Sequence, residues 1–482
     1  MFMNERIPDY IKKICFSLKK AKFEAYLVGG CVRDLMMNNE PKDFDITTNA
    51  KPEEILQVFP EAKYENDFGT VMLAVRNKKK EVETVVEITT YRSEQGYSNR
   101  RHPDVVNFET EIDKDLERRD FTINALAYDL DTLETKDLFG GVKDIKAKII
   151  RAVGEPSDRF KEDALRMMRA IRFSSQLKFS LEPKTQRAIT KLAGSLKFVS
   201  GERIRDELIK IMASERAYEG ILLLHDTKLL QYILPELEQG VGVKQDRHHI
   251  YPVFNHNLLS LKNCPSKEWQ VRFAALLHDI GKPKTRKIIN GIATFYNHEY
   301  VSARLTEKIM KRLRFSNEDG ARIVNLVKNH MFYYNVGEVS AASVRRLIVK
   351  VGKDNLKDLI DLRIADRLGS GTPKAMPYKL RHLQYMLEKV QNDPVSVKML
   401  KINGEDLMKE LELKPGPKIG ALLDVLLSEV IEEPENNKAE LLLVRASKLN
   451  DYNLEELRKQ AKTVIEEKNI EEDRNIKKQF KV

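Results

Sequence analysis

Two aspartates separated by one residue are the first feature of this sequence that could perform chemistry. Asp43 and Asp45 occur in the segment PKDFDITT, whose residue types predict a strand over residues 44–47. Side chains two apart in a strand project to the same face, so these carboxylates repel each other unless a cation neutralises them. Hard oxygen ligands at this spacing suit Mg²⁺. Two such ions can activate an attacking hydroxyl group and neutralise a leaving pyrophosphate.

A glycine pair precedes the aspartates and could bind the phosphate part of a substrate. Gly29 and Gly30, in YLVGGCVRD, follow an apolar strand predicted over residues 25–28 and precede a predicted helix. Backbone without side chains can approach a phosphate closely, and the N–H groups at the start of a helix can face it. Arg33 could reach the same anion.

A third carboxylate is expected on a neighbouring strand. The segment EVETVVEITTYR predicts a strand over residues 82–91 and offers two acids, Glu83 and Glu87. Glu87 is preferred because it comes just before a polar, β-branched stretch.

The elements that must position these residues form two unlike parts of the chain. Residues 1–145 alternate predicted helices and strands, which indicates an α/β head with a mixed sheet. From about Asp144 onward the strand signals fade and helical periodicity replaces them, so an all-helical region is expected to follow. Its clearest predicted helices cover residues 163–174, 184–196, 204–212, 271–277, 301–313 and 321–328.

The composition is that of a folded globular protein with several packed units. The chain has 482 residues, 42% hydrophobic and 32% charged, which argues against global disorder. No apolar run reaches the roughly 18 residues that a membrane span requires, so no membrane partner is expected. The 3 cysteines lie far apart and suit the reducing cytoplasm. The net charge of +10 favours a polyanionic partner such as nucleic acid.

Further motifs resemble those of one enzyme family. The aspartate pair together with the glycine element resembles the DNA polymerase beta nucleotidyltransferase superfamily. The segments ERRDFTINALAYD, DLFGG, RFKEDALRMMRAIRF and GERIRDEL look like successive motifs of the class II tRNA nucleotidyltransferases, the bacterial and eukaryotic CCA-adding enzymes. The resemblance covers about residues 22–250. It implies a DNA polymerase beta-like α/β head followed by an all-α neck, body and tail.

By this resemblance, residues after the head strands contact the incoming nucleotide. Arg119 and Asp120 would read the ribose 2′-hydroxyl and so select ribonucleotides, and Asn124 would belong to the same nucleotide site. Arg169 and Arg172 would bind the nucleotide or hold its pocket.

The same resemblance assigns base selection to the helix predicted over residues 163–174. A buried stripe of Ala164, Met168 and Ile171 would leave Asp163 and Arg166 together on the other side, as neighbours three residues apart. A carboxylate can accept from the exocyclic amine of cytosine or adenine, while a guanidinium donates to the adjacent ring acceptor. Guanine and uracil reverse these donors and acceptors, so one pocket would select both C and A without a template.

The segment YRSEQGYSNRRHPD, residues 91–104, resembles a flexible loop of the family that helps to switch the pocket from C to A. Enzymes that add only CC lack a functional version of it. Its presence favours complete CCA addition or the addition of A alone.

A second set of possible metal ligands lies in the helical region. Neutral imidazoles and carboxylates suit a divalent transition metal, and an adjacent His-Asp pair lets two ligands reach one ion. Residues 250–370 resemble the HD superfamily of metal-dependent phosphohydrolases. The expected ligands are His256, His278, Asp279 and Asp366, and His298 and His330 are further members of the series.

These features together predict template-independent addition of CCA to the 3′ end of tRNA from CTP and ATP, with release of pyrophosphate. The expected division is a head (1–145), a neck and body that select the base (146–250), an HD domain (251–370) and a tRNA-binding helical tail (371–482). Two alternatives stay open: an A-adding enzyme that works beside a CC-adding partner, and an HD phosphohydrolase with a nucleotide-sensing head.

Overall fold

The structure is a computed structural model of the chain. It describes residues 2–66, 69–76, 79, 81–96, 105–246, 250–332, 334–336, 338–339, 341–372, 375–391, 397–461, 477–478 and 480. The chain divides into two compact units, unit 1 (Met1–His330 with Asp358–Pro373) and unit 2 (Met331–Lys357 with Lys374–Val482). Within the described ranges, no helix combines the length and the apolar character that crossing a membrane requires.

Short strands build the head and three small accessory sheets. They are β1 (Tyr26–Val28), β2 (Asp45–Thr48), β3 (Lys63–Asn66), β4 (Thr70–Arg76), β5 (Val82–Thr90), β6 (Arg92–Gln95), β7 (Val105–Phe108), β8 (Leu126–Tyr128), β9 (Thr135–Asp137), β10 (Ile149–Ile150), β11 (Ser180–Leu181), β12 (Lys287–Ile289) and β13 (Ile292–Thr294).

Seven of these strands form one mixed sheet in the order β3-β4-β5-β2-β1-β8-β9. The pairing of β2 with β5 is parallel, and its other pairings are antiparallel. In β5 the residues Val86, Ile88 and Thr90 are buried while Glu87 is exposed. This alternation is expected of a strand with one face on the core, and it leaves the other face for polar groups.

Helices make up most of the remainder of unit 1. They are α1 (Phe2–Glu5), α2 (Asp9–Lys20), α3 (Gly30–Met36), α4 (Pro52–Val58), α5 (Ile112–Glu117), α6 (Gly141–Ala147), α7 (Pro156–Glu162), α8 (Leu165–Leu177), α9 (Pro183–Leu192), α10 (Gly201–Met212), α11 (Ala217–Asp226), α12 (Leu230–Ile233), α13 (Pro235–Glu238), α14 (Val253–Lys262), α15 (Trp269–Leu277), α16 (Lys282–Thr285), α17 (His298–Arg312), α18 (Asn317–Asn329) and most of α20 (Leu356–Gly369). The fold class predicted from the sequence, an α/β head followed by a helical region, is confirmed.

Unit 2 is helical throughout its described part. Its helices are α19 (Ala341–Val351), α21 (Tyr378–Gln391), α22 (Gly404–Glu410), α23 (Pro417–Glu432) and α24 (Ala439–Leu449). The apolar faces of α22, α23 and α24 meet in one core, in which Leu407, Leu422, Leu426 and Ala446 are fully buried. Three amphipathic helices packed on a shared core are the expected solution for sequences with this periodicity.

Candidate functional site

The register of the mixed sheet places two of the predicted carboxylates side by side. β2 begins at Asp45, and Asp45 is aligned with Glu87 of the parallel strand β5. Aligned residues of neighbouring strands present their side chains on the same face. Asp43 lies two residues before β2. Burial raises the pKa of Asp45, the nearby Arg119 lowers it, and Asp43 raises it again, so the two aspartates repel each other.

This donor set fits a hard divalent cation. Asp43 and Glu87 are exposed and Asp45 is half-buried, so an ion from solvent can reach all three. The raised pKa of Asp45 means that its ionised form is short of positive charge, which a cation would supply. Carboxylate oxygens are the ligands that Mg²⁺ prefers in nucleotide-handling enzymes.

The glycine turn lies beside these carboxylates. Val28 pairs with Asp45 across β1 and β2, and Gly29 follows at once. Gly29 has φ 76°, which L side chains rarely adopt, and a Cβ there would lie 3.0 Å from Arg119 Nη1 and 3.9 Å from Asp45 Oδ2. A Cβ at Gly30 would lie 3.6 Å from Arg33 Nη2. The turn therefore faces both arginines and one carboxylate, as the sequence predicted for Arg33.

A continuous chain of hydrogen bonds joins four of the predicted nucleotide-binding residues. Arg33 Nη1 donates to Asn124 Oδ1 at 2.7 Å, and Asn124 Nδ2 donates to Asp120 Oδ1 at 3.3 Å. Asp120 Oδ2 accepts from Arg169 Nε at 2.7 Å. Burial raises the pKa of Asp120, but Arg169 and Arg166 outweigh it and hold that pKa below its usual range. The chain connects the glycine turn of the head with helix α8.

Arg119 depends on a carboxylate that sequence reasoning missed. Asp115 is fully buried on α5, and its Oδ2 accepts from Arg119 Nη2 at 2.9 Å. Its Oδ1 accepts from Arg118 Nη2 at 2.6 Å. Burial raises the pKa of Asp115, but Arg118 and Arg119 lower it below the ordinary value. Arg118 and Arg119 follow the end of α5 directly, and their spacings of three and four residues from Asp115 were the signal that could have revealed these contacts.

The prediction that Asp163 and Arg166 are neighbours on one helix is wrong. Helix α8 begins at Leu165, and Asp163 has extended backbone (φ −139°, ψ 108°) at the end of α7. Its carboxylate binds Arg203 Nη2 through Oδ2 at 2.6 Å and accepts the Leu165 N–H at 3.0 Å. Asp163 thus lies between α7 and α8, where its carboxylate accepts the N–H of the first residue of α8 and pairs with Arg203 of α10.

Arg166 has other partners. Its Nη1 lies 3.0 Å from Glu162 Oε2, and its Nη2 donates to the backbone carbonyl of Arg118 at 3.2 Å. The buried stripe predicted for this helix is confirmed, since Ala164, Met168 and Ile171 are at most 1% exposed.

Helix α10 is bound to the α7–α8 segment by two ion pairs. Arg203 pairs with Asp163, and Glu207 accepts from the buried Arg172 at 3.0 Å. The four-residue spacing of Arg203 and Glu207 therefore places both on the side of α10 that faces α8. The motif GERIRDEL thus positions two predicted nucleotide-site residues.

The predicted switching loop, residues 91–104, is described only from residue 91 to residue 96. Residues Arg92–Gln95 form β6, which pairs with β7 at Val105–Phe108. Residues 97–104 lie outside the described residues.

The predicted HD residues converge in unit 1. His256 Nε2 lies 3.0 Å from His278 Nε2, 3.1 Å from Asp279 Oδ2 and 3.4 Å from Asp366 Oδ1. On the other side of Asp279, Oδ1 lies 3.1 Å from His298 Nε2. The Asp279 carboxylate thus has one oxygen toward the first pair of histidines and one toward the later members of the series.

Backbone carbonyls orient three of these imidazoles. His278 Nδ1 contacts the carbonyl of Ala275 at 2.8 Å, and His298 Nδ1 contacts that of Phe295 at 2.7 Å. His330 makes the equivalent contact with Val327. Because a carbonyl can only accept, Nδ1 must carry the proton, and Nε2 faces the cluster. This is how proteins orient imidazoles as metal ligands.

The cluster is buried, and its charged side chains shift one another's pKa values. Burial lowers the pKa of His278, but Asp279 and Asp366 outweigh it and raise that pKa to about 10. Lys282 Nζ lies 2.5 Å from Asp279 Oδ2 and donates to Gln245 at 2.7 Å. Lys282 therefore places a positive charge directly against the buried carboxylate of Asp279. The sequence analysis did not assign Lys282, although it lies only three residues after Asp279.

Three segments of the chain match known protein families. Residues 25–151 match the family described as "Poly A polymerase head domain", and residues 178–240 match "Probable RNA and SrmB- binding site of polymerase A". Residues 289–446 match "tRNA nucleotidyltransferase domain 2 putative". The mixed sheet, the carboxylates and the glycine turn define a nucleotidyltransferase head.

Comparison with individual proteins defines the family of this chain more closely. The CCA-adding enzyme of Enterococcus faecalis is 34% identical over 435 residues, which cover 88% of this chain and 92% of that protein. The A-adding tRNA nucleotidyltransferase of Deinococcus radiodurans is 36% identical over 340 residues, 67% of this chain and 76% of that protein. The Bacillus stearothermophilus CCA-adding enzyme, solved in complex with CTP, superposes with a TM-score of 0.59 at 25% identity, over 91% and 96% of the two chains. The chain belongs to the tRNA nucleotidyltransferase family that includes these CCA-adding and A-adding enzymes.

Proposed function

We propose that this protein adds CCA to the 3′ end of tRNA, using CTP and ATP and releasing pyrophosphate. The observation that carries the proposal is the alignment of Asp45 with Glu87 beside the glycine turn, with Arg33 and Arg169 joined through Asn124 and Asp120. The three free cysteines agree with a cytoplasmic location.

Different residues of the site would perform different parts of nucleotidyl transfer. Asp43, Asp45 and Glu87 would hold Mg²⁺. An ion held there would supply positive charge for the attack of the terminal 3′-hydroxyl on the α-phosphate and for the departure of pyrophosphate. The glycine turn and Arg33 hold the triphosphate, and Arg119, held by Asp115, faces the sugar. These contacts fix the α-phosphate relative to the carboxylates, which is the main contribution a protein makes to phosphoryl transfer.

Three tRNA transcripts test the proposal. One ends before CCA, one after the first C and one after CC, and each is given CTP, ATP or both. Complete addition by one pocket predicts that all three transcripts reach a full CCA end. Extension of the CC-ending transcript alone would show an A-adding enzyme, and no extension would refute the proposal.

Base selection is proposed to depend on Asp163, whose carboxylate is oriented by its ion pair with Arg203. Arg166 is oriented separately, by Glu162. Asp163→Ala is expected to reduce the preference for CTP and ATP over UTP and GTP by about 10- to 100-fold, since one good base contact is worth about 1–3 kcal/mol. Incorporation of each single nucleotide into the three transcripts measures this preference.

The matched control for this experiment is Asp158→Ala. Asp158 lies on the short helix α7 that ends just before Asp163, is 61% exposed and pairs only loosely with Lys161 at 3.3 Å. Its replacement is expected to leave nucleotide preference unchanged. An Asp163 variant that selects nucleotides as well as this control would show that another residue reads the base.

Unit 2 is proposed to bind the body of the tRNA through aromatic and basic side chains. Tyr334 and His382 are joined by a hydrogen bond of 2.5 Å, and the His382 ring lies 5.3 Å from that of Tyr385. Tyr385 is buried with Lys389 over its ring, whereas Tyr378 is half-exposed beneath Arg381, so a base could stack on Tyr378 and not on Tyr385. Rings for stacking interleaved with cations for phosphate are typical of nucleic-acid surfaces, and such binding weakens as salt rises.

A second proposal concerns the HD cluster. We infer that His256, His278, Asp279 and Asp366 hold a divalent transition metal, with His298 and His330 beside them. The convergence of imidazole nitrogens that face one buried carboxylate favours this proposal, because mixed nitrogen and oxygen donors suit such ions. The bound ion would supply a Lewis acid for phosphate-ester hydrolysis.

A further inference from the structure

One aromatic ring on α8 is shared by three arginines of the nucleotide site. Measured from each guanidinium carbon to the centroid of the Phe173 ring, the distances are 5.4 Å for Arg33, 5.6 Å for Arg169 and 4.1 Å for Arg172. All three distances fall within the range in which a cation is attracted by the negative face of a ring. Arg33 belongs to α3, and the other two arginines belong to α8. The Phe173 ring is therefore a contact that side chains of both helices share.

These cations need to be held apart. Phe173, Arg33 and Arg172 are each at most 8% exposed, so water screens their charges poorly. Burial lowers the pKa of Arg172, Glu207 raises it, and Arg169 and Arg33 lower it, which shows that the three like charges repel. A cluster of this kind keeps one arrangement only if something fixes each guanidinium.

Hydrogen bonds fix each arginine separately. Arg33 is held by Asp34 and Asn124, Arg169 by Asp120, and Arg172 by Glu207. Phe173 is itself oriented by an edge contact with Phe121, with ring centroids 5.8 Å apart and planes at 80°. Among the described residues, the Phe173 ring is thus a contact common to all three guanidinium groups.

We propose that Phe173 is a positioning residue of the nucleotide site, which sets the spacing between Arg33 at the triphosphate and Arg169 beside the sugar-reading Asp120. This inference rests on the proposed nucleotidyl transfer. The contacts described for the Phe173 ring are with the three arginines and with Phe121 rather than with the proposed metal ligands, so its loss should weaken nucleotide binding more than the chemical step.

Phe173→Leu in the full-length enzyme is the first test. With the CC-ending transcript, the KM for ATP is expected to rise about tenfold, with kcat within about twofold of the parent, because uniform binding contacts are lost. The same rise is expected for the KM of CTP with the other two transcripts. Phe173→Tyr, which keeps the ring face, is expected to restore both values.

Packing and ring electrostatics are separated by two further proteins. Phe179→Leu removes another buried ring just beyond α8, one for which the described residues show no cation above the ring. Replacement of Phe173 by pentafluorophenylalanine keeps the ring's shape but reverses the charge of its face. The inference expects a normal KM for the Phe179 variant and a raised KM for the fluorinated protein.

The opposite outcomes overturn the inference. Equal KM values for Phe173→Leu and Phe179→Leu would reduce Phe173 to ordinary core packing, and a normal KM for the fluorinated protein would exclude the cation contacts. If Phe173→Leu does not fold, the fluorinated protein decides alone. A parent enzyme that incorporates neither nucleotide would instead refute the proposed function, which is a distinct result.

Discussion

Replacing Asp43 and Asp45 together by alanine is expected to abolish nucleotide incorporation, by at least about a thousandfold, while tRNA binding persists. The metal contribution to phosphoryl transfer is worth several kcal/mol, and these carboxylates are its proposed ligands. The fold should tolerate the change, because burial and mutual repulsion already disfavour the ionised Asp45. Incorporation with a radiolabelled nucleotide, tRNA binding by filter retention and thermal melting measure the three quantities.

The third carboxylate has a matched control on its own strand. Glu87 is aligned with Asp45, whereas Glu83 lies four residues earlier on β5 and is also exposed. Glu87→Gln is expected to lose most of the incorporation and Glu83→Gln very little. Full activity of the purified Asp43/Asp45 double variant would contradict the catalytic assignment, and equal losses for the two glutamates would contradict the choice of Glu87.

Asp279→Asn is expected to eliminate bound transition metal while CCA addition continues within about threefold of the parent rate. The two proposed metal sites share no ligand residue, and Asp279 is the carboxylate that contacts imidazoles on both of its sides. An amide keeps the size of the side chain but removes the charge that binds the ion. Metal analysis of the purified protein and incorporation on the three transcripts give the two readouts.

His225→Ala is the control for that variant. His225 is a half-buried histidine of α11 that pairs with Glu238 at 2.9 Å and lies outside the HD cluster. Its replacement should leave the metal content unchanged. If the Asp279 variant retains its metal, the ligand set is wrong; if it loses metal and incorporation together, the two sites depend on each other.

The sequence predicted the residues whose spacing is local. The two aspartates are two apart and the glycine pair adjoins a strand, so pattern alone is enough to propose them as site residues. The partnership of Asp45 with Glu87 is less local, but a parallel pairing of two β-branched strands makes it accessible to inference.

What the sequence could not reveal depends on partners that are distant along the chain. Asp163 has extended backbone outside the helix, and its carboxylate pairs with Arg203, 40 residues later. Strands of two or three residues, such as β8 and β10, are too short to show periodicity and form because neighbouring backbone needs partners. From the sequence alone, Asp115 and Phe173 look like ordinary helix residues. Their roles become apparent only when the structure shows the arginines that contact them.

The hydrogen-bonded chain from Arg33 through Asn124 and Asp120 to Arg169 has a thermodynamic consequence. Groups connected in this way do not contribute independently to binding, because movement of one changes the energy of the next. The free energy gained at the phosphate end of a nucleotide should therefore depend on what occupies the far end of the chain. A nucleotide that fits poorly at the far end of the chain would also bind less tightly through its phosphates. The discrimination between nucleotides would then exceed the free energy of any single contact.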